Sequence, residues 1–234
     1  MAGALAGGRW RARVAMALAR TRVRVRGKSR RAGSTRWLSR HLNDPYVRRA
    51  RQEGYRARAA YKLLEIDQRF RLLEPGGIVL DLGSAPGSWA QVAVARGCRV
   101  IGLDLLEVPP IADATMLQGD VFDPATATRL RDVAGGRAAV VLSDMAASST
   151  GQRAVDRLRA EAIGEAVLAL LPELLASGGS VVIKLVRGAE SGLTAAARRA
   201  FDRVHLIRPE ATHRGSSEIY LVATGYRGAA EGSA

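Results

Sequence analysis

Cysteine is almost missing from this chain. Cys98 is the only one in 234 residues, so no disulfide framework can form, and the chain suits a reducing, cytoplasmic setting. Histidine is also scarce. His41, His205 and His213 have no ligand-like spacing, which argues against a resident metal. No apolar run reaches membrane-spanning length: the richest, residues 166–176, is interrupted by Pro172 and Glu173. The apolar patch at residues 14–19 is too short for a secretory signal core. Lysine is the most telling shortage. Only Lys28, Lys62 and Lys184 occur among 36 basic residues. Arginine stays protonated in proteins whereas a desolvated lysine can lose its proton, so Lys62 and Lys184 become candidates for proton chemistry.

What is present is unevenly spread. Residues 1–62 carry 18 basic side chains against two acids, and residues 63–234 carry 18 against 20. The net charge of +14 therefore belongs to the front of the chain. A basic segment joined to a near-neutral domain fits a polyanionic partner, nucleic acid above all. Residues 1–33 read as a basic, disordered N-terminal arm, with an organelle transit peptide as the alternative. Residues 34–226 read as one folded domain, divided into a helical, RNA-facing segment at 34–75 and a sheet core at 76–226. Residues 227–234 read as a flexible tail.

The centre of the pattern is Ile78–Gln91. An apolar, β-branched run is followed by Gly83-Ser-Ala-Pro-Gly87 and then by helical spacing from Trp89. Strand, glycine turn and helix start form a concave site for a nucleotide-like or zwitterionic ligand. Ahead of it, Trp37–Leu42, Tyr46–Ala50 and Arg56–Leu72 have helical spacing. Behind it, strands are expected at 99–103, 115–118, 138–142, 180–185, 204–207 and 218–224. Helices are expected at 126–133, 153–176 and 193–201, with Pro172 bending or breaking the longest. The alternation predicts an α/β, doubly wound, mostly parallel seven-stranded sheet with helices on both faces.

In such sheets ligands sit at the carboxyl ends of the strands, where Asp81, Asp104, Asp120 and Asp144 fall. An acid after the second strand suits ribose hydroxyls, and one after the third suits an adenine amine. The turn lacks G-x-G-x-x-G, so a dinucleotide fits poorly. A phosphate-free cofactor with an amino-acid end, such as S-adenosylmethionine, fits better.

Several segments then resemble one family in order and spacing: Ser34–Leu38, Asp44–Val47, Tyr55–Leu63, Asp81–Trp89, Ser143–Ala146, Lys184 and Ser216–Tyr220. Together they resemble the FtsJ/RrmJ (RlmE) family of ribosomal RNA large-subunit 2′-O-methyltransferases, over about residues 34–226. The resemblance implies a Rossmann-like class I methyltransferase dependent on S-adenosylmethionine. It also implies a Lys-Asp-Lys-Glu tetrad at Lys62, Asp144, Lys184 and Glu218. Around the cofactor it implies contacts from Asp81, Gly83, Gly87, Ser88, Trp89, Asp104, Asp120 and Asp144. The implied substrate is a uridine of 23S rRNA in the assembled large subunit, methylated by a cytoplasmic monomer. Ser88, Ala90, Ala147 and Arg187 depart from the family's commoner residues.

Chemically, a 2′-hydroxyl must lose its proton as the methyl arrives, and desolvation together with a second cation favours a neutral amine. Lys184 is the expected base and Lys62 the neighbouring cation, with Asp144 and Glu218 orienting them. Arg36, Arg48, Arg49, Arg51, Arg56 and Arg58, with Tyr46 and Tyr55, are the expected RNA contacts. The rivals are a non-catalytic RNA-binding or ribosome-assembly factor on the same fold, and 2′-O-methylation of a tRNA or organellar rRNA. A base methylase fits less well: Asn43 is the only asparagine, and Cys98 lies at the wrong edge of the sheet for a nucleophile.

Overall fold

The computed structural model describes residues 44–213 and 215–228. The expected helix at 37–42, the basic arm and Arg36 lie outside them. The chain divides into two compact units, residues 1–54 and 55–234. In the first, helix α1 (Pro45–Glu53) starts where the Asp44 carboxylate accepts the Tyr46 N–H at 2.9 Å, with Pro45 supplying a preset φ at the first helical position. It stops at Gly54 in the left-handed region, whose N–H returns to the Ala50 carbonyl.

The second unit runs α2 (Ala60–Phe70), β1 (Ile78–Leu82), α3 (Ser88–Ala95), β2 (Arg99–Asp104), β3 (Ala114–Gln118), α4 (Thr126–Ala134), β4 (Ala138–Ser143), α5 (Arg153–Leu174), β5 (Leu175–Val186), α6 (Glu190–Ala200), β6 (Phe201–Ile207) and β7 (Glu218–Tyr226). The seven strands lie in the order β3-β2-β1-β4-β5-β7-β6. Pairings from β3 through β5 are parallel, and β7 is antiparallel to both of its neighbours. Chain order reverses between β1 and β4, which opens a crevice above their carboxyl ends.

Two apolar layers fill the space on either side of the sheet. Leu80 and Leu82 of β1 join Leu130 of α4, Leu171 of α5 and Leu193 of α6 on one face. Val79 joins Leu63 and Ile66 of α2 and Trp89 and Val92 of α3 on the other. Strand alternation sends Asp81 to the second face, with Val79.

Three of the boundaries that differ from the sequence expectation have a visible cause. Helix α2 begins at Ala60, not Arg56, because the Arg56 N–H donates to Gln91 Oε1 at 2.8 Å and residues 56–59 follow that tether. It ends at Phe70, with Arg71 left-handed at φ 52°, because the buried Asp67 carboxylate captures the N–H groups of Leu72 and Leu73 at 3.1 and 2.9 Å. Strand β5 begins at Leu175, which already pairs with Ala138, and a register shift separates that pair from Val140–Ser180. Pro172 sits in the final turn of α5. Arg137 donates there to the carbonyls of Pro172 and Leu175, capping groups that the helix leaves open.

Asp67 also pairs with Arg96 at 3.0 Å, joining α2 to the end of α3. Asp67→Ala orphans two buried amides, and the expected loss is about 2–4 kcal/mol. Urea denaturation should show a lower midpoint at unchanged m.

Candidate active site

Above β1 the chain turns at Gly83 and Gly87. The N–H groups of Gly83 and Ser84 both donate to the Leu103 carbonyl, at 2.8 and 3.1 Å, so the turn is fixed to β2. Gly83 has φ 76°, and a Cβ there would lie 2.4 Å from Met145 Cγ. Gly87 has φ 102°, and a Cβ there would lie 2.6 Å from Ile111 Cδ1 and 2.8 Å from Arg56 Nη1. Only glycine meets both the backbone angle and the close approach at these two positions.

Asp81 is fully buried beneath this turn, and neither carboxylate oxygen has a hydrogen-bond partner among the described residues. Burial first, and the nearby Asp144 charge second, push its pKa up to about 8. The Ala90 amide lies outside hydrogen-bond geometry yet pulls the other way. Ser84 and Ser143 add two more buried hydroxyls without partners. Asp104 accepts the Ala85 and Leu106 amides at 2.8 and 2.9 Å, one on each oxygen. Asp120 is exposed and accepts the Phe122 amide at 3.0 Å. Beside these acids, Leu105, Leu106 and Phe122 are 58–67% exposed, which is unusual for large apolar side chains at a crevice. A ligand with a cationic end, hydroxyls and a flat apolar ring fits this set of groups. S-Adenosylmethionine has all three.

Ser88 is buried at the start of α3. The Trp89 indole is directed into the core: its N–H donates to the Ala59 carbonyl at 2.8 Å, and its ring lies 5.8 Å from that of Tyr220. The part of Trp89 available to the crevice is its first-turn amide.

The four tetrad candidates come from four elements and form one hydrogen-bonded group. Lys62 of α2 donates to Glu218 Oε1 at 2.5 Å and to the Tyr220 hydroxyl at 3.1 Å. Lys184 of β5 lies 3.1 Å from Asp144 Oδ1 and also donates to the Asp144 carbonyl. Tyr220 links the pairs, reaching Asp144 Oδ1 at 2.7 Å and also Glu218 Oε1. Its single proton can serve only one carboxylate at a time. Burial, then the charges of Asp144 and Glu218, hold the phenol well above its ordinary pKa, so it stays a neutral hydroxyl. Sequence reasoning gave Tyr220 no role. The signal was available, because Tyr220 lies two residues beyond Glu218, on the same strand face, and opposite Lys184 across the β5–β7 ladder.

Two further carboxylates, also missed, hold the rim. Glu65 of α2 accepts the amides of Glu210 and Ala211 at 2.5 and 3.0 Å, fixing the loop that leads to Glu218. Asp156 of α5 accepts from the Thr150 amide and hydroxyl and from the Ser149 hydroxyl, fixing the loop after Asp144. Those bonds, the Thr150 amide foremost, lower its pKa to about 2.

The expected RNA contacts divide. Arg48 and Arg49 lie on α1, where Arg49 pairs with Glu53 at 2.7 Å. The guanidiniums of Arg56 and Arg58 both donate to backbone carbonyls of the protein. Arg56 reaches Pro86, Pro109 and Pro110, and Arg58 reaches Ala211. Cys98 is buried and its thiol faces the Glu74 carbonyl at 3.3 Å, a packing position. No group of three potential metal ligands occurs among the described residues.

A doubly wound sheet with its last strand inserted antiparallel, a glycine turn over β1 and acids at the strand ends define a Rossmann-like methyltransferase. The FtsJ-like methyltransferase model matches residues 55–226, and the chain belongs to that family. Proteins named Ribosomal RNA large subunit methyltransferase E are similar over most of their length. That of Gluconobacter oxydans is 46% identical over 202 residues, covering 86% of this chain and 75% of its own. That of Roseobacter denitrificans is 49% identical over 212 residues, covering 86% and 88%. A crystal structure of a putative ribosomal RNA methyltransferase from Plasmodium falciparum superposes with a TM-score of 0.68 at 28% identity, covering 75% of this chain and all of that one.

Two outcomes test the geometry. Folded Asp81 keeps a proton that the unfolded chain loses near its ordinary value of 3.8, so stability should fall as pH rises from about 4 to 8. Asp81→Asn should flatten this slope in urea titrations, with a difference on the order of a few kcal/mol at the alkaline end. Tyr220→Phe keeps the ring and removes the shared hydroxyl, and should lower stability by about 1–3 kcal/mol by the same measurement.

Proposed function

We propose that the protein transfers a methyl group from S-adenosylmethionine to the 2′-hydroxyl of a uridine in 23S rRNA of the large ribosomal subunit, in the cytoplasm, with Lys184 as general base. The observation that carries this reading is the group of Lys62, Asp144, Lys184, Glu218 and Tyr220 at the carboxyl edge of the sheet. The names of the similar proteins support the choice of substrate.

When bound, the cofactor supplies an electrophilic methyl on a sulfonium sulfur. Gly83, Gly87 and the first-turn amides of Ser88 and Trp89 shape its methionine end. Asp81 would hold the ammonium, Asp104 the ribose and Asp120 the adenine. Asp144 accepts from Lys184 through both its carbonyl and its carboxylate. A neutral Lys184 amine would donate its two N–H groups to Asp144 and offer its lone pair to the incoming hydroxyl proton. Lys62, tethered to Glu218 and Tyr220, keeps a donor for the hydroxyl oxygen. As the oxygen takes the methyl, its proton passes to Lys184. Holding oxygen and methyl in line accounts for a large part of the acceleration, up to roughly 7–11 kcal/mol. Arg48 and Arg49, with Arg36 ahead of them, hold RNA phosphates.

Lys184→Arg keeps the charge and forbids deprotonation. Transfer of labelled methyl to undermodified large subunits should fall by about 10²–10⁴-fold, with cofactor affinity within twofold of the parent. Full transfer by this variant would remove Lys184 as the base. Mapping the modified nucleotide separates 23S rRNA from a tRNA or organellar substrate, and absence of any transfer would favour a non-catalytic RNA-binding factor.

A further inference from the structure

Arg56 is one of the expected RNA contacts, yet its guanidinium is bonded to the protein's own carbonyls. Its Nη1 donates to the Pro86 carbonyl at 3.0 Å and the Pro109 carbonyl at 2.7 Å, and its Nη2 donates to the Pro110 carbonyl at 2.6 Å. Its own amide donates to Gln91 Oε1 in α3 at 2.8 Å. One residue therefore fastens three pieces of chain: the Gly83–Gly87 turn, the first helix after it, and the loop at 105–113.

That loop runs from Asp104 to β3 with no regular structure of its own. Val108 is buried and Ile111 packs against the second core, but Pro109 and Pro110 between them have no N–H to donate. Both prolines are exposed, and their carbonyls accept from Arg56. Gly87 marks how closely the clamp approaches, since a Cβ there would come within 2.8 Å of Nη1.

The geometry points to Arg56 as a positioning residue for the cofactor crevice, which sets the gap between the glycine turn and the loop following Asp104. A guanidinium is needed because two nitrogens in one plane span acceptors on both loops, whereas an ammonium is a single point of charge. Removing it frees the 105–113 loop and widens the crevice on the ribose side, while the RNA surface keeps its charge pattern apart from this residue. The inference rests on the cofactor assignment proposed above.

The test uses the full chain and S-adenosylmethionine, titrated by calorimetry into the parent, Arg56→Ala and Arg56→Lys proteins. Arg56→Ala should raise the cofactor Kd at least tenfold, with Arg56→Lys within threefold of Ala. In turnover the loss should appear in KM for the cofactor, while kcat at saturating cofactor stays within threefold. Hydrogen exchange should speed up in residues 84–91 and 105–113 and nowhere else. Affinity for a large-subunit rRNA fragment, and its salt dependence, should match the parent. Cofactor Kd within twofold of the parent in both variants would overturn the proposal. So would weaker RNA binding with a salt slope reduced by about 0.7, the mark of one lost phosphate contact on single-stranded RNA. If Arg56→Ala does not fold, Arg56→Lys and Arg56→Gln carry the same test. A parent protein that binds no S-adenosylmethionine would instead sink the cofactor assignment.

Discussion

The amines of Lys62 and Lys184 share a pocket with the carboxylates of Asp144 and Glu218, and the four side chains are only 11–19% exposed. Neither partner of a pair could be kept there alone, because removing one partner of a buried pair leaves a charge that costs about 3–5 kcal/mol. The Tyr220 hydroxyl joins them, so the positions of Lys62 and Lys184 depend on each other through one neutral oxygen. The rest of the fold serves to bring α2, β4, β5 and β7 to that point. The parallel strands deliver Asp144 and Lys184 at the same edge, and antiparallel β7 brings Glu218 and Tyr220 to it from the opposite direction.

The surroundings follow a common rule. Asp67, Glu65, Asp156 and Asp104 each use a carboxylate to accept backbone amides from a neighbouring loop. Such charge-assisted bonds are short and directional, and they satisfy donors that irregular chain leaves open. Asp81 is the exception: buried like Asp67, it has no amide at hydrogen-bond geometry. Among the described residues its two oxygens lack partners where those four carboxylates have them, which supports the proposed place of Asp81 in the cofactor site.

Much of this was legible in the sequence because burial and composition leave direct marks. β1 and β4 lie between helices on both faces, so, Asp81 aside, they appear as apolar runs, and their alternation with helices marks a doubly wound, mostly parallel sheet. Lysine scarcity singled out Lys62 and Lys184, and the structure brings both into one hydrogen-bonded group. What was not legible concerns long side chains and tethers. Arg56 and Arg58 look like any other arginine in a basic stretch, because sequence does not show that a guanidinium will meet a carbonyl some 30 to 153 residues away. The start of α2 was misplaced for the same reason, since Gln91 holds the Arg56 amide. Leu175 begins β5 early because Ala138 pairs with it across a register shift, a long-range event without a local signal.

β7 is the last of the described strands in the chain, yet it lies inside the sheet, between β5 and β6. During synthesis β6 therefore lacks its native neighbour until β7 has emerged and paired between it and β5. A nascent chain that already displays Lys62, Asp144 and Lys184 still lacks Glu218 and the bridging hydroxyl. Assembly of the site thus coincides with closure of the sheet, and a polypeptide interrupted before residue 218 has the crevice's outline without the group that gives it order.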